Sequence, residues 1–186
     1  MLFALFASAS ACRREPELPT LGRVPAFGFL NQDGKRVEAS ELRGAVWVAA
    51  FMFTRCPTIC PRITRRMRAL QERASKEAVA LRLVSFSVDP DNDTPDALRD
   101  YARRFGADTS TWSFVTGDSA SMQKVSVDGF KLALDGRADA GAENFGILHG
   151  SHLVLVDREL AIRGYYRTED DQAMSMLLID AARLAR

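Results

Sequence analysis

Two of the chain's three cysteines, Cys56 and Cys60, stand with three residues between them in FMFTRCPTICPRI, residues 51–63. On a helix this is an i, i+4 pair, with Cα atoms about 6 Å apart, near the upper end of what a disulfide spans. A soft metal ion is less demanding, because it can bridge two thiolates across a wider bite. Two thiolates select Cu(I) or zinc over hard cations, and one imidazole would complete a three-coordinate copper site. The chain holds only two histidines, His149 and His152, both in FGILHGSHLVLVDRELAIRGYY. His152 falls inside a strand pattern. His149 precedes it, at the end of a Gly-, Ala- and Asp-rich stretch over residues 135–146, in the kind of loop where ligands are usually carried. On residue types alone both remain candidates.

These side chains need a scaffold, and the surrounding pattern supplies one. Residues 45–53 form a nearly continuous apolar run, as expected of a central strand buried on both faces. A helix is expected from Pro61 to about Ser75, with Ile63, Met67 and Leu70 at core spacing and the proline in its first turn. The cysteines therefore fall where a central strand feeds its helix. The N–H groups and positive dipole end of a helix N-terminus favour thiolate over thiol. Arg55, Arg62, Arg65, Arg66 and Arg68 crowd the same stretch, with no acidic residue between Thr54 and Gln71; part of that run is an ordinary solvated helix face.

Ahead of this unit, residues 27–30 and 35–38 read as a hairpin closed by Asp33-Gly34. After it come a strand over 80–88, a helix over 94–105 introduced by Thr94-Pro95, a strand over 112–115 and a helix over 119–127. Residues 151–156 and 161–166 form another hairpin, and residues 171–184 an amphipathic helix. A hairpin, a βαβ unit, a second hairpin and a terminal helix give an α/β, thioredoxin-like fold with an N-terminal β-hairpin extension and an inserted loop before His149.

At 186 residues and 47% hydrophobic content the chain suits one well-buried domain. Twenty-five basic against twenty-four acidic residues leave a formal charge of +1, so no global field points to nucleic acid. There is no internal repeat and no apolar run of the roughly 18 residues a spanning helix needs. The N-terminus, MLFALFASASACRREPELPTLG, passes from a short apolar segment through Ala9, Ser10 and Ala11 to Cys12. That order resembles a bacterial lipoprotein signal, cleaved before a cysteine that then carries lipid, although no basic residue precedes the apolar segment and Ala9 stands where Leu is usual. The expected organisation is a signal over 1–11, a tether over 12–21 and one domain over 22–186.

FTRCPTICP, then SVDPDNDTP at 87–95, WSFVTG at 112–117 and LHGSHLVLVD at 148–157 followed by IRGYY resemble, in order, the Sco/SenC family of copper-delivery proteins. The resemblance covers about residues 22–184. It implies a membrane-tethered thioredoxin-like domain that binds one copper ion, as Cu(I) or Cu(II), through two cysteines and a histidine and helps metallate the CuA centre of cytochrome c oxidase. Carried over, the ligands are Cys56, Cys60 and His149, which stands six residues before Leu155, where the family's ligand stands. The lipoprotein-like N-terminus makes Cys12 the expected lipidation site, in a bacterial envelope on its extracytoplasmic or periplasmic face. Asp89 and Asp93 match the family's acidic block, and either order the loop beside the metal or cap the helix beginning near Thr94; a structural role is favoured for Asp93. Expected partners are a cytochrome c oxidase subunit or another copper-enzyme acceptor, other copper chaperones or thiol reductants, and the membrane through its lipid. The main rival is a thiol-disulfide reductase using Cys56 and Cys60 to keep a partner's copper-site cysteines reduced. A peroxiredoxin-type peroxidase and a lipid-anchored binding module without metal are the others.

Overall fold

A computed structural model of the chain describes residues 17–132 and 151–186. Among the described residues eight strands form one sheet: β1 (Gly22–Arg23), β2 (Gly28–Asn31), β3 (Arg36–Glu38), β4 (Val46–Met52), β5 (Leu81–Ser87), β6 (Trp112–Thr116), β7 (His152–Val156) and β8 (Ala161–Arg167). Their spatial order is β1-β8-β7-β4-β5-β6-β2-β3. β4, β5 and β6 run parallel, while β7 is antiparallel to both β4 and β8. The helices are α1 (Ile59–Lys76), α2 (Pro95–Arg104), α3 (Ser119–Gln123) and α4 (Asp171–Leu184).

The apolar run of β4 is buried along all seven residues, and its alternation sorts the core into two layers. Val46, Val48, Ala50 and Met52 pack with Ile63, Met67 and Leu70 of α1, Leu98 and Tyr101 of α2, and Leu177 of α4. Trp47, Ala49 and Phe51 belong to the opposite layer with Phe29, Phe86 and Phe130. Cys56 and Cys60 lie in the first layer. The hairpin turn between β2 and β3 uses Gly34 at φ 71°, and Asn31 Oδ1 closes it by accepting from the N–H groups of Asp33 and Lys35, each at 2.9 Å.

The differences from the sequence pattern have local causes. α1 starts at Ile59 rather than Pro61, so Cys60 sits inside the first turn. Pro61 is third in the helix, where its missing N–H has no intrahelical acceptor to lose. The helix expected over 119–127 is α up to Gln123 and then a π turn over Lys124–Gly129. There the Ser126 hydroxyl donates to the carbonyls of Met122 and Gln123, competing with the helical ladder. Residues 18–21, within the stretch read as tether, run beside β8: Arg163 donates to the carbonyls of Leu18 and Pro19, and Leu21 N–H to Ile162. Among the described residues no helix is long and apolar enough to cross a membrane.

Candidate functional site

β4 ends at Met52, and the chain reaches α1 through residues 53–58, a connection short enough to fix Cys56 directly against the helix start. Cys56 N–H donates to the Phe53 carbonyl at 3.3 Å. The Cys60 N–H then donates to Cys56 Sγ at 3.4 Å. Thr58, the N-cap residue, makes no side-chain capping bond; the sulfur takes that place, meeting one of the N–H groups that a helix start leaves without a partner. Both thiols are free and nearly buried, Cys56 at 7% exposure and Cys60 at 3%.

Their proton affinities diverge. Burial pushes Cys56 up, but the N–H groups of Cys60, Thr58 and Ile59 together with the Cys60 thiol more than offset it, and its pKa falls below the ordinary thiol value. Burial pushes Cys60 up to about 12, helped by the Cys56 sulfur and the Asp93 carboxylate. Cys56 is thus the readier of the two thiols to ionise. The expected outcome of brief iodoacetamide treatment near pH 8, followed by peptide mass spectrometry, is alkylation of Cys56 at least about tenfold faster than of Cys60, because the thiolate is the reacting species.

The acidic block serves this loop. Asp93 is fully buried and accepts from Thr54 N–H at 3.1 Å, Thr54 Oγ1 at 2.5 Å and Ser87 Oγ at 2.6 Å, tying the start of the cysteine loop to the end of β5. It does not cap α2; Thr94 does, accepting from Ala97 N–H at 3.3 Å. Asp89 pairs with Arg55 at 2.8 Å and accepts from Asn92. Its carboxyl is destabilised by burial but held below the usual range by Asn92 and Arg55. Of the arginine run, Arg62, Arg66 and Arg68 pair with Glu169, Asp171 and Glu72, a solvated face knitting α1 to its surroundings.

Of the two histidines, His152 is described: it opens β7, level with Arg167 of β8. Leu153 and Leu155 belong to the layer containing the cysteines, and Val154 and Val156 to the opposite layer. Alternation therefore places His152 on the side away from Cys56 and Cys60. His149, Cys12, the signal segment over 1–11 and the inserted loop lie outside the described residues. Among the described residues no group of three or more His, Cys, Asp or Glu side chains gathers in a metal-holding arrangement. The two soft donors that do come together suit a soft cation.

Sequence reasoning missed Thr64 and Tyr101. Thr64 Oγ1 donates to the Cys60 carbonyl at 2.8 Å and lies 2.8 Å from Tyr101 Oη. The i, i+4 offset from Cys60 could have flagged Thr64; nothing local flags Tyr101, which arrives from α2.

A dithiol at the N-terminus of the first crossover helix, on a mixed sheet with antiparallel β7 and β8 beside β4, defines a thioredoxin-like protein. The family profile described as SCO1/SenC matches residues 18–181. The SCO1 protein homolog of Bacillus subtilis (strain 168) is 43% identical over 134 residues, 72% of this chain and 67% of that one. A SCO1/SenC family lipoprotein from Bacillus anthracis str. Ames superposes with a TM-score of 0.78 at 37% identity, over 89% of this chain and 96% of the other. BsSco, described as a member of the Sco family of cytochrome c oxidase assembly proteins with a disulfide switch, follows with a TM-score of 0.77 at 31% identity, over 91% and 99%. The chain belongs to the SCO1/SenC family.

Proposed function

We propose that the protein is a copper carrier that holds one copper ion through Cys56, Cys60 and His149 and passes it to a CuA-type site of a respiratory oxidase or another copper-enzyme acceptor. The observation that carries this reading is the hydrogen-bonded thiol pair at the start of α1, with Cys56 shifted towards thiolate. Copper is cargo here. Few soft ligands in a loop site allow an acceptor's thiolates to displace them one at a time, whereas a closed tetrahedral site would retain the ion. Membership of the family and the BsSco description of oxidase assembly support the choice of acceptor.

Because the ligating species are thiolates, oxidation of the pair removes them, and redox state gates loading. The disulfide switch ascribed to BsSco supports that gate. The same pair supports a second reading, reduction of an acceptor's cysteines, since a thiol of lowered pKa beside a second thiol is also what thiol-disulfide exchange requires. We place this domain, over 22–186, outside the cytoplasmic membrane of a bacterium, held by a tether over 12–21 and lipid on Cys12 after removal of residues 1–11; the likeness to a Bacillus anthracis lipoprotein supports this.

Titration of copper into the reduced and the oxidised full chain, with a competing chelator, tests the carrier reading. One ion per reduced chain and loss of tight binding after oxidation are expected. Equal binding in both states rules out the gate, and no tight binding to the reduced chain rules out the carrier and leaves the reductase.

A further inference from the structure

Thr64 and Tyr101 lie beneath the thiol pair at 2% and 1% exposure, and copper ligation makes no use of them. A carbonyl oxygen can only accept, so the single Thr64 hydroxyl proton is committed to Cys60 O, and the phenol is the donor between the two hydroxyls. The result is one directed chain, Tyr101 to Thr64 to Cys60, running from α2 into the first turn of α1. The ring is fixed independently of its hydroxyl by Phe105 and Phe114, at centroid distances of 4.7 and 6.2 Å. The same β5–α2 segment also grips the other side of the loop, where Asp93 holds Thr54 two residues ahead of Cys56. Both flanks of the dithiol are thus referred to one piece of the fold.

We propose that Tyr101, acting through Thr64, is a positioning residue that holds the first turn of α1 in its dithiol geometry and thereby sets how readily Cys56 and Cys60 are oxidised. The proposal rests on the redox-gated reading of the pair. With glutathione disulfide as oxidant, the Cys56 thiolate attacks one sulfur, the glutathione S–S bond breaks and one glutathione thiolate leaves. Cys60, giving up its proton to solvent, then displaces the second glutathione as the Cys56–Cys60 bond forms. The protein loses two electrons and the oxidant gains them. In the reduced protein Cys56 Sγ accepts the Cys60 N–H at 3.4 Å, and closing an S–S bond of about 2.05 Å re-sets the sulfur geometry of this turn. The hydroxyl held on the Cys60 carbonyl restrains the backbone that carries the second sulfur.

The test equilibrates the full chain in glutathione buffers of graded ratio, traps thiols with an alkylating reagent and reads the reduced fraction by mass. Tyr101→Phe is expected to shift the equilibrium towards the disulfide by about two- to tenfold, the range one net hydrogen bond carries. Thr64→Val should move it at least as far, and Thr64→Ser, which keeps the hydroxyl, should stay within twofold of wild type. A role in folding alone would lower Tm without moving this ratio. Tyr101→Phe equilibrating like wild type overturns the proposal, and it decides the matter alone if Thr64→Val does not fold. A wild-type chain that forms no Cys56–Cys60 disulfide at any ratio overturns the redox-gated reading and this proposal together, whereas normal wild-type oxidation with unshifted variants removes the positioning role only.

Discussion

Cys56→Ser and Cys60→Ser are each expected to abolish tight copper binding, beyond the roughly 100-fold loss that removal of a mere outer-shell partner can cause. A serine hydroxyl in either place stays protonated near neutral pH and is a hard, weak donor for a soft ion. The two substitutions nevertheless remove different things. Cys56→Ser takes away the depressed-pKa sulfur and the acceptor of the Cys60 N–H, although the serine oxygen keeps a hydrogen-bonding group at the helix start. Cys60→Ser puts a hydroxyl at a 3% exposed position within the apolar layer of Ile63, Met67 and Leu153, and should also cost about 1–2 kcal/mol of stability. Thermal unfolding of both apo variants separates the two effects: a folded variant that has lost copper has lost a ligand. X-ray absorption of the reduced, copper-loaded wild type should show two sulfur scatterers. A spectrum without Cu–S scattering, or a serine variant that still competes with the chelator like wild type, removes the thiols from the site.

The dithiol was legible in the sequence because its spacing, its place between an apolar run and an amphipathic pattern, and its prolines are all local features. The two-layered core was equally legible, since the continuous apolar run of β4 means burial on both faces. What holds the loop in place was less so. Asp93 precedes Thr94-Pro95 and reads as a helix cap, but the cap belongs to Thr94 and the carboxylate reaches back 39 residues to Thr54. A local reading cannot see that reach, because the side chain's environment is built by the parallel pairing of β4 with β5. Tyr101 is hidden for the same reason, its phenol meeting a hydroxyl 37 residues away. β1 escaped notice because two residues show no period, and they become a strand by pairing with β8.

For the proposed third copper ligand, two histidines three residues apart give opposite answers. β7 has its register fixed on both flanks: Trp47, Val48 and Ala49 of β4 pair with Val156, Leu155 and Val154, while His152 pairs with Arg167 of β8. Leu153 and Leu155 lie on the cysteine side and Val154 and Val156 on the side of Trp47 and Phe86, so His152 shares the parity of the wrong side. Bringing its ring to Cys56 would need a one-residue slip of β7, which would carry buried Leu153 and Leu155 out of their layer as well. His149 is at an odd offset from His152, so the alternation that excludes one permits the other wherever extended geometry continues. His149→Ala should therefore weaken Cu(I) binding by about tenfold or more and remove the nitrogen scatterer, while Cys56 and Cys60 still form their disulfide in a glutathione buffer. His152→Ala should leave the affinity and the metal spectrum as they are in the wild type. The reverse pattern would place the ligand in β7 and contradict its observed pairing with β4. An unchanged spectrum in both variants would leave a two-sulfur site, and favour the thiol-disulfide reductase over the carrier.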